Sequence, residues 1–490
     1  MYLGIDLGTS GVKVVLLDAA QRMVATAHAP LQVTSPRALW SEQHPQDWWL
    51  ALDHAMLELR ASVPQALAAV RAIGLAGQMH GAVVLDAQRR VLRPVILWND
   101  GRAGPQCAQL ESAEPRTRAI TGNMAMAGFT APKLLWLRQH EPAVFAQTRT
   151  VLLPKDWLRL QMTGELVSDM SDASGTLWLD VAARAWSEAM LDACGLTLSH
   201  MPRLVEGSAP SGELAIDVAQ AWGMGPGVVV AGGGGDNAAS AVGVGAVRAG
   251  EGFLSLGTSG VIFITADRCM PAPAKAVHAF AHALPQRWHQ MAVMLSATSA
   301  LQWAVRMTGQ SNAQALLAQA VQLTLPQRAR APIFLPYLSG ERTPHNNPFA
   351  SASLTGLRSE HGVADIAYAV MEGVGFGLCD GLQAMVGPAV GAATAVGELA
   401  LVGGGARSDA WAQLLASTLG CGLRRHDGAH AAAAIGAARL GALAAGGNET
   451  LVCRTPAHGR LFVPDAAEAA SLVPRYQRFQ ASYAALMPHF

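Results

Sequence analysis

Asp6-Leu7-Gly8-Thr9-Ser10-Gly11 and Ser255-Leu256-Gly257-Thr258-Ser259-Gly260 are two copies of one short loop, 249 positions apart. Each copy follows a short apolar run, Tyr2 to Ile5 or Phe253-Leu254. Each precedes another, Val12 to Leu17 or Val261 to Thr265. A strand, a tight Gly-Thr-Ser turn and a second strand therefore occur once per half. The pattern predicts a duplicated α/β unit whose two loops face each other across a cleft. A single Gly-Thr-Ser turn means little, but two in matched contexts are hard to obtain by accident. Loops rich in N–H groups and hydroxyls, closing on one ligand from two sides, suit a nucleoside triphosphate.

The flanking sequence fits that plan. Asp18 to Gln21 reads as a hairpin turn into a third strand. Trp48, Trp49, Leu52, Met56 and Leu59 recur at helical spacing and predict a helix over 46–61. Ala72 to Ala76 reads as a strand that opens into Gly77-Gln78-Met79-His80-Gly81. Val83 to Asp86 and Val91 to Leu97 read as strands around a turn, the second ending in Trp98-Asn99-Asp100-Gly101-Arg102. Polar clusters at the carboxyl ends of strands are where α/β folds place ligand sites. Gly227 to Ala231 predicts a strand running into Gly232-Gly233-Gly234-Gly235-Asp236-Asn237 and a helix of small residues, Ala238 to Val247. The boundary between the halves is expected near 247–250, giving domains 1–247 and 248–490. In the second half a helix is predicted over 363–386, then a strand, Leu399 to Val402, before Gly403-Gly404-Gly405-Ala406-Arg407. An alanine-rich helix is predicted near 430–445.

Bulk properties narrow the function classes. The chain has 490 residues, 51% of them hydrophobic and 14% charged, with a formal net charge of zero. That length implies more than one core. The balanced charge argues against nucleic acid or an anionic membrane as the main partner. The six cysteines are scattered with no CxxC pair, so they read as reduced thiols in a cytoplasmic protein. No basic stretch leads into an apolar run at the start, so no signal peptide is expected. The small-apolar run Ala431 to Ala438 is too short to span a bilayer.

Particular residues carry the chemistry. Asp6, at the end of the first strand, is placed to hold Mg²⁺ beside phosphates. Its counterpart is Ser255, so the two loops are not equivalent. Asp236, after four glycines and before a helix, is either a helix cap or a general base that takes a hydroxyl proton. Gln78, Met79 and His80, with Trp98, Asn99 and Asp100 nearby, offer donors, acceptors and an indole face suited to a polyol. Gly403 to Arg407 reads either as a strand-to-helix turn or as an adenosine site. No GxxxxGK[ST] loop, HExxH or GxSxG occurs.

Together these segments resemble the FGGY carbohydrate kinases over nearly the whole chain. Gly128 to Leu137 and the segment from Thr355 through Gly373 are similar to the two family signatures. Gln78-Met79-His80, Leu153-Pro154-Lys155-Asp156 and Ser339-Gly340-Glu341-Arg342-Thr343-Pro344 add to the likeness. The resemblance implies two actin-like, ribonuclease-H-like domains closing on ATP and sugar. It implies phosphorylation of D-xylulose at the 5-hydroxyl, with Asp236 as base and Met79, His80, Asp236 and Asn237 holding the ketose. Trp98 and Asp100 are expected in its surroundings. Gly8, Thr9, Ser10 and Lys13 match the first phosphate loop, and Gly257, Thr258 and Ser259 the second. Gly404, Gly405 and Arg407 match the adenosine segment, and a homodimer is implied. Two other readings stay open: a sibling kinase for ribulose, glycerol or another polyol, and a non-catalytic actin-like nucleotide-binding module.

Overall fold

The computed structural model describes residues 1–387, 396–456 and 459–490. Two seven-stranded mixed sheets organise it. The first runs Pro210–Glu213, Val229–Ala231, Ala72–Gly77, Tyr2–Leu7, Gly11–Leu17, Met23–Pro30, with the short Gly234–Gly235 strand beside Ala72–Gly77. The second runs Gly459–Phe462, Gly422–His426, Glu398–Val402, Gly252–Leu256, Gly260–Ala266, Trp288–Met294 and His278–Ala281.

The two orders are the same plan. Tyr2–Leu7 and Gly252–Leu256 each pair antiparallel with the strand after the Gly-Thr-Ser turn. Each pairs parallel with the strand on its other side, Ala72–Gly77 or Glu398–Val402. A second parallel strand and an antiparallel edge strand follow in both halves. The parallel centres are buried on both faces, which is why their sequences read as continuous apolar runs.

Most predicted elements occur with small shifts at their ends. The first helix spans Pro45–Ser62, and its buried residues include Trp48, Leu52, Met56 and Leu59. The helix Val363–Val386 matches its expected range, yet it is buried on nearly every side from Ala367 to Leu382. The stripe of Val370, Val374, Leu378 and Leu382 is thus part of a core helix, packed on the second sheet. The strand expected over Val91–Leu97 contracts to Val95–Ile96, because Arg93 and Pro94 interrupt the ladder; Pro94 has no N–H to give. Between the strands of the first sheet, residues 104–200 build a mainly helical layer with four short strands, among them the hairpin Leu179–Asp180 and Ala185–Trp186. Its core cluster joins Met79, Phe129 and Trp178 to Phe280, Met291 and Val293 of the second half.

One contact ties the halves together. The helices Asp236–Val244 and Ala432–Ala444 hold equivalent places, each following the second parallel strand of its sheet, Val229–Ala231 or Gly422–His426. They cross with almost no side chain between them: a Cβ on Gly436 would lie 1.7 Å from the Ala239 carbonyl oxygen, and one on Gly243 2.0 Å from that of Ala432. The Ala432–Ala444 helix also lies on the first half's sheet, where a Cβ on Gly74 would stand 1.7 Å from the Ala437 carbonyl oxygen. Small residues here are a steric requirement that outweighs their lower helix propensity.

Replacing Gly74 with alanine should therefore force the crossing helix off the sheet and destabilise the fold by about 3 kcal/mol or more. Gly104→Ala, where nothing lies within 4 Å of the new methyl, should change stability by about 0.5 kcal/mol or less. Denaturant midpoints of the two variants check the contrast; equal midpoints would refute the close-contact account.

Candidate active site

The two Gly-Thr-Ser loops line one cavity of about 460 Å³ between the halves. Asp6, Gly8 and Thr9 enter from the first loop, and Gly257, Thr258 and Ser259 from the second. Each loop closes on itself, Gly8 N–H donating to the Gly11 carbonyl at 3.0 Å and Gly257 N–H to that of Ser259 at 3.0 Å. The second loop is backed by a helix N-terminus. Ala297 N–H donates to the Thr258 carbonyl (2.9 Å), and the Thr298 N–H and hydroxyl donate to that of Gly257 (3.0 and 2.8 Å). These bonds turn the loop carbonyls toward the helix, which suits a site for anionic oxygens.

The first loop is fixed by side chains. Thr9 Oγ1 accepts from Trp98 Nε1 at 2.9 Å and donates to Gln78 Oε1 at 3.1 Å. Gln78 Nε2 donates to Gln43 Oε1 (3.0 Å), and Gln43 Nε2 returns to the Thr9 carbonyl (2.8 Å). Trp48 Nε1 also donates to Gln43 Oε1, at 3.0 Å. Trp98 and Gln78 both line the cavity. This ring couples the phosphate-type loop to the polyol-type cluster, and Gln43, which lies in the family-like stretch Trp40-Ser41-Glu42-Gln43 but is given no site role by it, is a member.

His80 sits in the left-handed region, φ 71°. Its Nδ1 lies 2.7 Å from the Gly175 carbonyl oxygen. A carbonyl can only accept, so Nδ1 carries the hydrogen and Nε2 keeps its lone pair. Burial pushes the imidazole down to about 3, so it is neutral at neutral pH. Its own carbonyl accepts from the buried Lys133 Nζ (2.8 Å) and Thr130 Oγ1 (3.1 Å), both in the segment similar to the first family signature.

Asp236 is the first residue of the helix Asp236–Val244, and Gly235 holds the N-cap position. Asp236 therefore does not hold the N-cap position, although its side chain still takes one first-turn N–H. Its Oδ1 accepts from the Asn237 N–H (2.8 Å) and Asn237 Nδ2 (3.0 Å), and burial lifts it to about 6. The loop beneath it is pinned from below. Gly235 N–H donates to Ser171 Oγ at 3.1 Å, Ser171 Oγ donates to Asp169 Oδ2 at 2.5 Å, and Arg159 donates to the Gly232 carbonyl. Lys155, fully buried, pairs with Asp156 and Asp169 at 2.6 and 2.7 Å. The Lys155-Asp156 pair of the sequence thus belongs to a charged base under the Gly232–Gly235 loop. Gly233, at φ 77°, leaves a Cβ only 2.2 Å from the Leu75 carbonyl oxygen.

Asp6 faces Asp236 across the cavity. Its Oδ1 is buried without a hydrogen-bond partner, and burial, then the charge of Asp236, lifts it to about 7. Lys13 acts in the opposite sense, but its Nζ donates to the His430 carbonyl (2.7 Å) and lies outside the cavity lining.

Several expected residues sit elsewhere. Asp100 is buried away from the lining, its carboxylate held by Arg102 (2.6 Å) and the Ser41 N–H (2.6 Å). A carboxylate so fully partnered has no lone pair left for a sugar. Ser10 is exposed at the loop's rim, with its carbonyl accepting from the Leu31 N–H. Gly404, Gly405 and Arg407 form a short 3₁₀ turn, and the preceding Gly403 lines the cavity in their place. Residues 429–433 and Arg342 also line the cavity from the second half; Arg342 lies in a stretch that the family likeness includes but to which it assigns no role, and the alanines among 429–433 carry no chemical signal.

Comparison with known proteins places the chain in a family. The N-terminal domain model of the FGGY family of carbohydrate kinases matches residues 1–243, and its C-terminal domain model matches residues 252–445. The chain belongs to the FGGY family of carbohydrate kinases. The xylulose kinase of Escherichia coli is 52% identical over 490 residues, all of this chain and 99% of that one. The xylulose kinase of Klebsiella pneumoniae is 53% identical over 90% of this chain and 89% of its own. A solved structure described as a xyloylose kinase from Brucella ovis superposes with a TM-score of 0.95 at 46% identity, covering both chains fully. The duplicated sheets are thus the actin-like pair of an FGGY kinase.

Asp6 and Asp236 also fit a divalent cation. No group of three metal-ligating side chains occurs among the described residues. Mg²⁺ does not need one, since it is commonly held by one or two carboxylates together with water and phosphate oxygens. The orphaned Asp6 Oδ1 is such a hard oxygen donor.

Both carboxylates titrate near 4 in an unfolded chain and higher when folded. Between about pH 4 and 7 the folded state holds more protons, so ligand-free stability falls as pH rises through that window. Asp6→Asn removes one such charge. The ligand-free variant should be more stable than its parent at pH 8, on the order of 2 kcal/mol, with the difference vanishing toward pH 4. Urea melts at both pH values check this; a variant weaker than its parent at pH 8 would contradict the burial account.

Proposed function

We propose that this chain is an ATP-dependent xylulose kinase, transferring the γ-phosphoryl group of ATP to the 5-hydroxyl of D-xylulose. The names of its full-length relatives support the substrate. The observation that carries the chemistry is Asp236, a desolvated carboxylate oriented by Asn237 and facing two phosphate-type loops across one cavity.

Met79, His80 and Asn237 hold the sugar, with Trp98 forming a wall that is tied to Thr9. The loops at Gly8-Thr9 and Gly257-Thr258-Ser259 take the phosphates. Asp236, basic through burial, accepts the hydroxyl proton as the bond from O5 to the γ-phosphorus forms. The bond between that phosphorus and the β,γ-bridging oxygen breaks, and ADP leaves. Asp6 would hold Mg²⁺, with Asp236 nearby; the cation supplies neutralisation of charge on the transferring phosphates. Halves closing on each other exclude water, so the sugar hydroxyl is the available nucleophile. Residues 1–247 and 248–490 act as the two closing domains, Gly404, Gly405 and Arg407 flank the adenosine, and the enzyme works in the cytoplasm as a homodimer. No helix of the described residues is long and apolar enough to cross a membrane.

Asp236→Asn should lower kcat by about a thousandfold or more while D-xylulose affinity, read by calorimetry, stays within roughly threefold. In the parent enzyme kcat/KM for the sugar should fall about tenfold per pH unit below about pH 6, where Asp236 becomes protonated. A near-normal kcat in the variant would remove Asp236 from the role of base. ADP release with D-xylulose, D-ribulose, L-ribulose and glycerol tests the substrate. A preference for another polyol would reassign it, and no sugar-stimulated release would leave a nucleotide-binding module.

A further inference from the structure

Arg342 is the one arginine that lines the cavity among the described residues, and it comes from the second half. It follows Ser339-Gly340-Glu341, a stretch to which the reaction described above gives no task. The guanidinium forms no ion pair among the described residues. Its one side-chain contact is a long one, 3.5 Å from Nη1 to His278 Nε2. A partly buried cation without a carboxylate is unfavourable unless a ligand accepts from it. Its neighbour Glu341 does not neutralise it: Glu341 Oε1 accepts the Leu295 N–H (3.0 Å) and the Arg342 N–H (2.7 Å), and burial lifts that carboxyl to about 8.

The backbone at this point is fixed. Thr343 N–H donates to the Val293 carbonyl (3.1 Å), and Val293 N–H donates to Thr343 Oγ1 (3.0 Å). Val293 and Met291 line the cavity beside Arg342. The side chain is also close to His80. Arg342 is among the charges that depress the His80 imidazole, and the two are linked through Phe129: His80 packs edge-on to that ring at 4.7 Å, and His278, which Arg342 Nη1 approaches, packs edge-on to it at 5.5 Å. Two complementary tools therefore meet at the sugar end of the cavity. Arg342 offers donors only, and His80, with Nδ1–H committed to Gly175, offers the Nε2 lone pair.

We propose that Arg342 and His80 together read the α-hydroxyketone end of the sugar, Arg342 donating to the C2 carbonyl oxygen and His80 Nε2 accepting from the C1 hydroxyl. His80 Nε2 cannot serve the C2 carbonyl, since both are acceptors, so the carbonyl has to be met by the donor, Arg342. The pairing selects a ketose over the corresponding alditol, whose C2 oxygen is a tetrahedral hydroxyl. It also gives the second half a direct contact with the sugar, so that ketose binding favours closure of the halves. This inference rests on the kinase reading, deepens its substrate class and concerns specificity, not proton transfer.

The test compares kcat/KM for D-xylulose and for xylitol, the same carbon chain with the carbonyl reduced, in the parent enzyme and in Arg342→Gln. The expected result is a loss of roughly 30-fold or more on D-xylulose, carried mainly by KM, against less than about threefold on xylitol. Arg342→Lys, which keeps a charged donor, should recover part of the ketose preference. It also serves if the glutamine variant folds poorly, as judged by its melting temperature. Equal losses on both substrates in either variant, or no loss on D-xylulose, would overturn the proposal. A parent enzyme inactive on D-xylulose would instead overturn the D-xylulose assignment. If that enzyme uses D-ribulose, the same comparison runs with D-ribulose and its alditol.

Discussion

Backbone-to-backbone contact between the helices Asp236–Val244 and Ala432–Ala444 is the constraint from which the rest of the molecule follows. With clearances below 2 Å for any added methyl at Gly436 and Gly74, the crossing cannot take a larger side chain. Packing at this density holds the two halves together at one fixed point. The helix that forms one arm of the crossing begins at Asp236, so the proposed base sits beside that point.

The same place concentrates electrostatic strain. Asp6 and Asp236 face each other in a desolvated cavity, and burial raises both above the ordinary carboxylate range. Nearby cations are held elsewhere: Lys13 on the His430 carbonyl, Lys155 on Asp156 and Asp169. Stability would be better served by neutral residues at these two positions. That both positions carry charge is intelligible if a ligand brings the compensating cation, since binding then recovers what the empty fold gives up. The buried charges beneath the Gly232–Gly235 loop behave differently. They are partnered with one another and with the loop's own backbone, so they fix geometry instead of waiting for a ligand.

What could be read in the sequence was what local pattern determines. The duplicated turn revealed the duplicated sheet, because a strand–turn–strand unit is specified by its own residues. The helix Val363–Val386 came out at its full length for a similar reason, its periodicity being long and uninterrupted. The site was less legible because proximity in it is tertiary. Gln43 lies 35 positions from Gln78 yet closes the ring around Thr9. Asp100 looked like a ligand group because its neighbours Trp98 and Asn99 did, but Arg102 two positions on takes its carboxylate. The alanines at 431–433 line the cavity with backbone and methyl groups that no motif can announce. Arg342 stood inside a recognisable stretch, and only its lack of a partner in the folded chain gives it meaning.

Duplication alone would give two equivalent half-sites, so function has to come from where the symmetry is broken. Asp6 pairs across its hairpin with Lys13, whereas the equivalent Ser255 pairs with Val261. The first loop thus carries the charge suited to a cation, and the second, backed by the N-terminus of the helix Thr298–Thr308, is suited to anionic oxygens. The helical layer over 104–200 is inserted into the first half, where it supplies Lys133, Thr130 and Gly175 to fix His80. A symmetric clamp would offer a nucleotide the same groups from both sides. With a carboxylate on one side, an anion cradle on the other and the polyol-type cluster beside the first, the cavity is polar along its length, so the proposed phosphate donor and sugar each have one end suited to them.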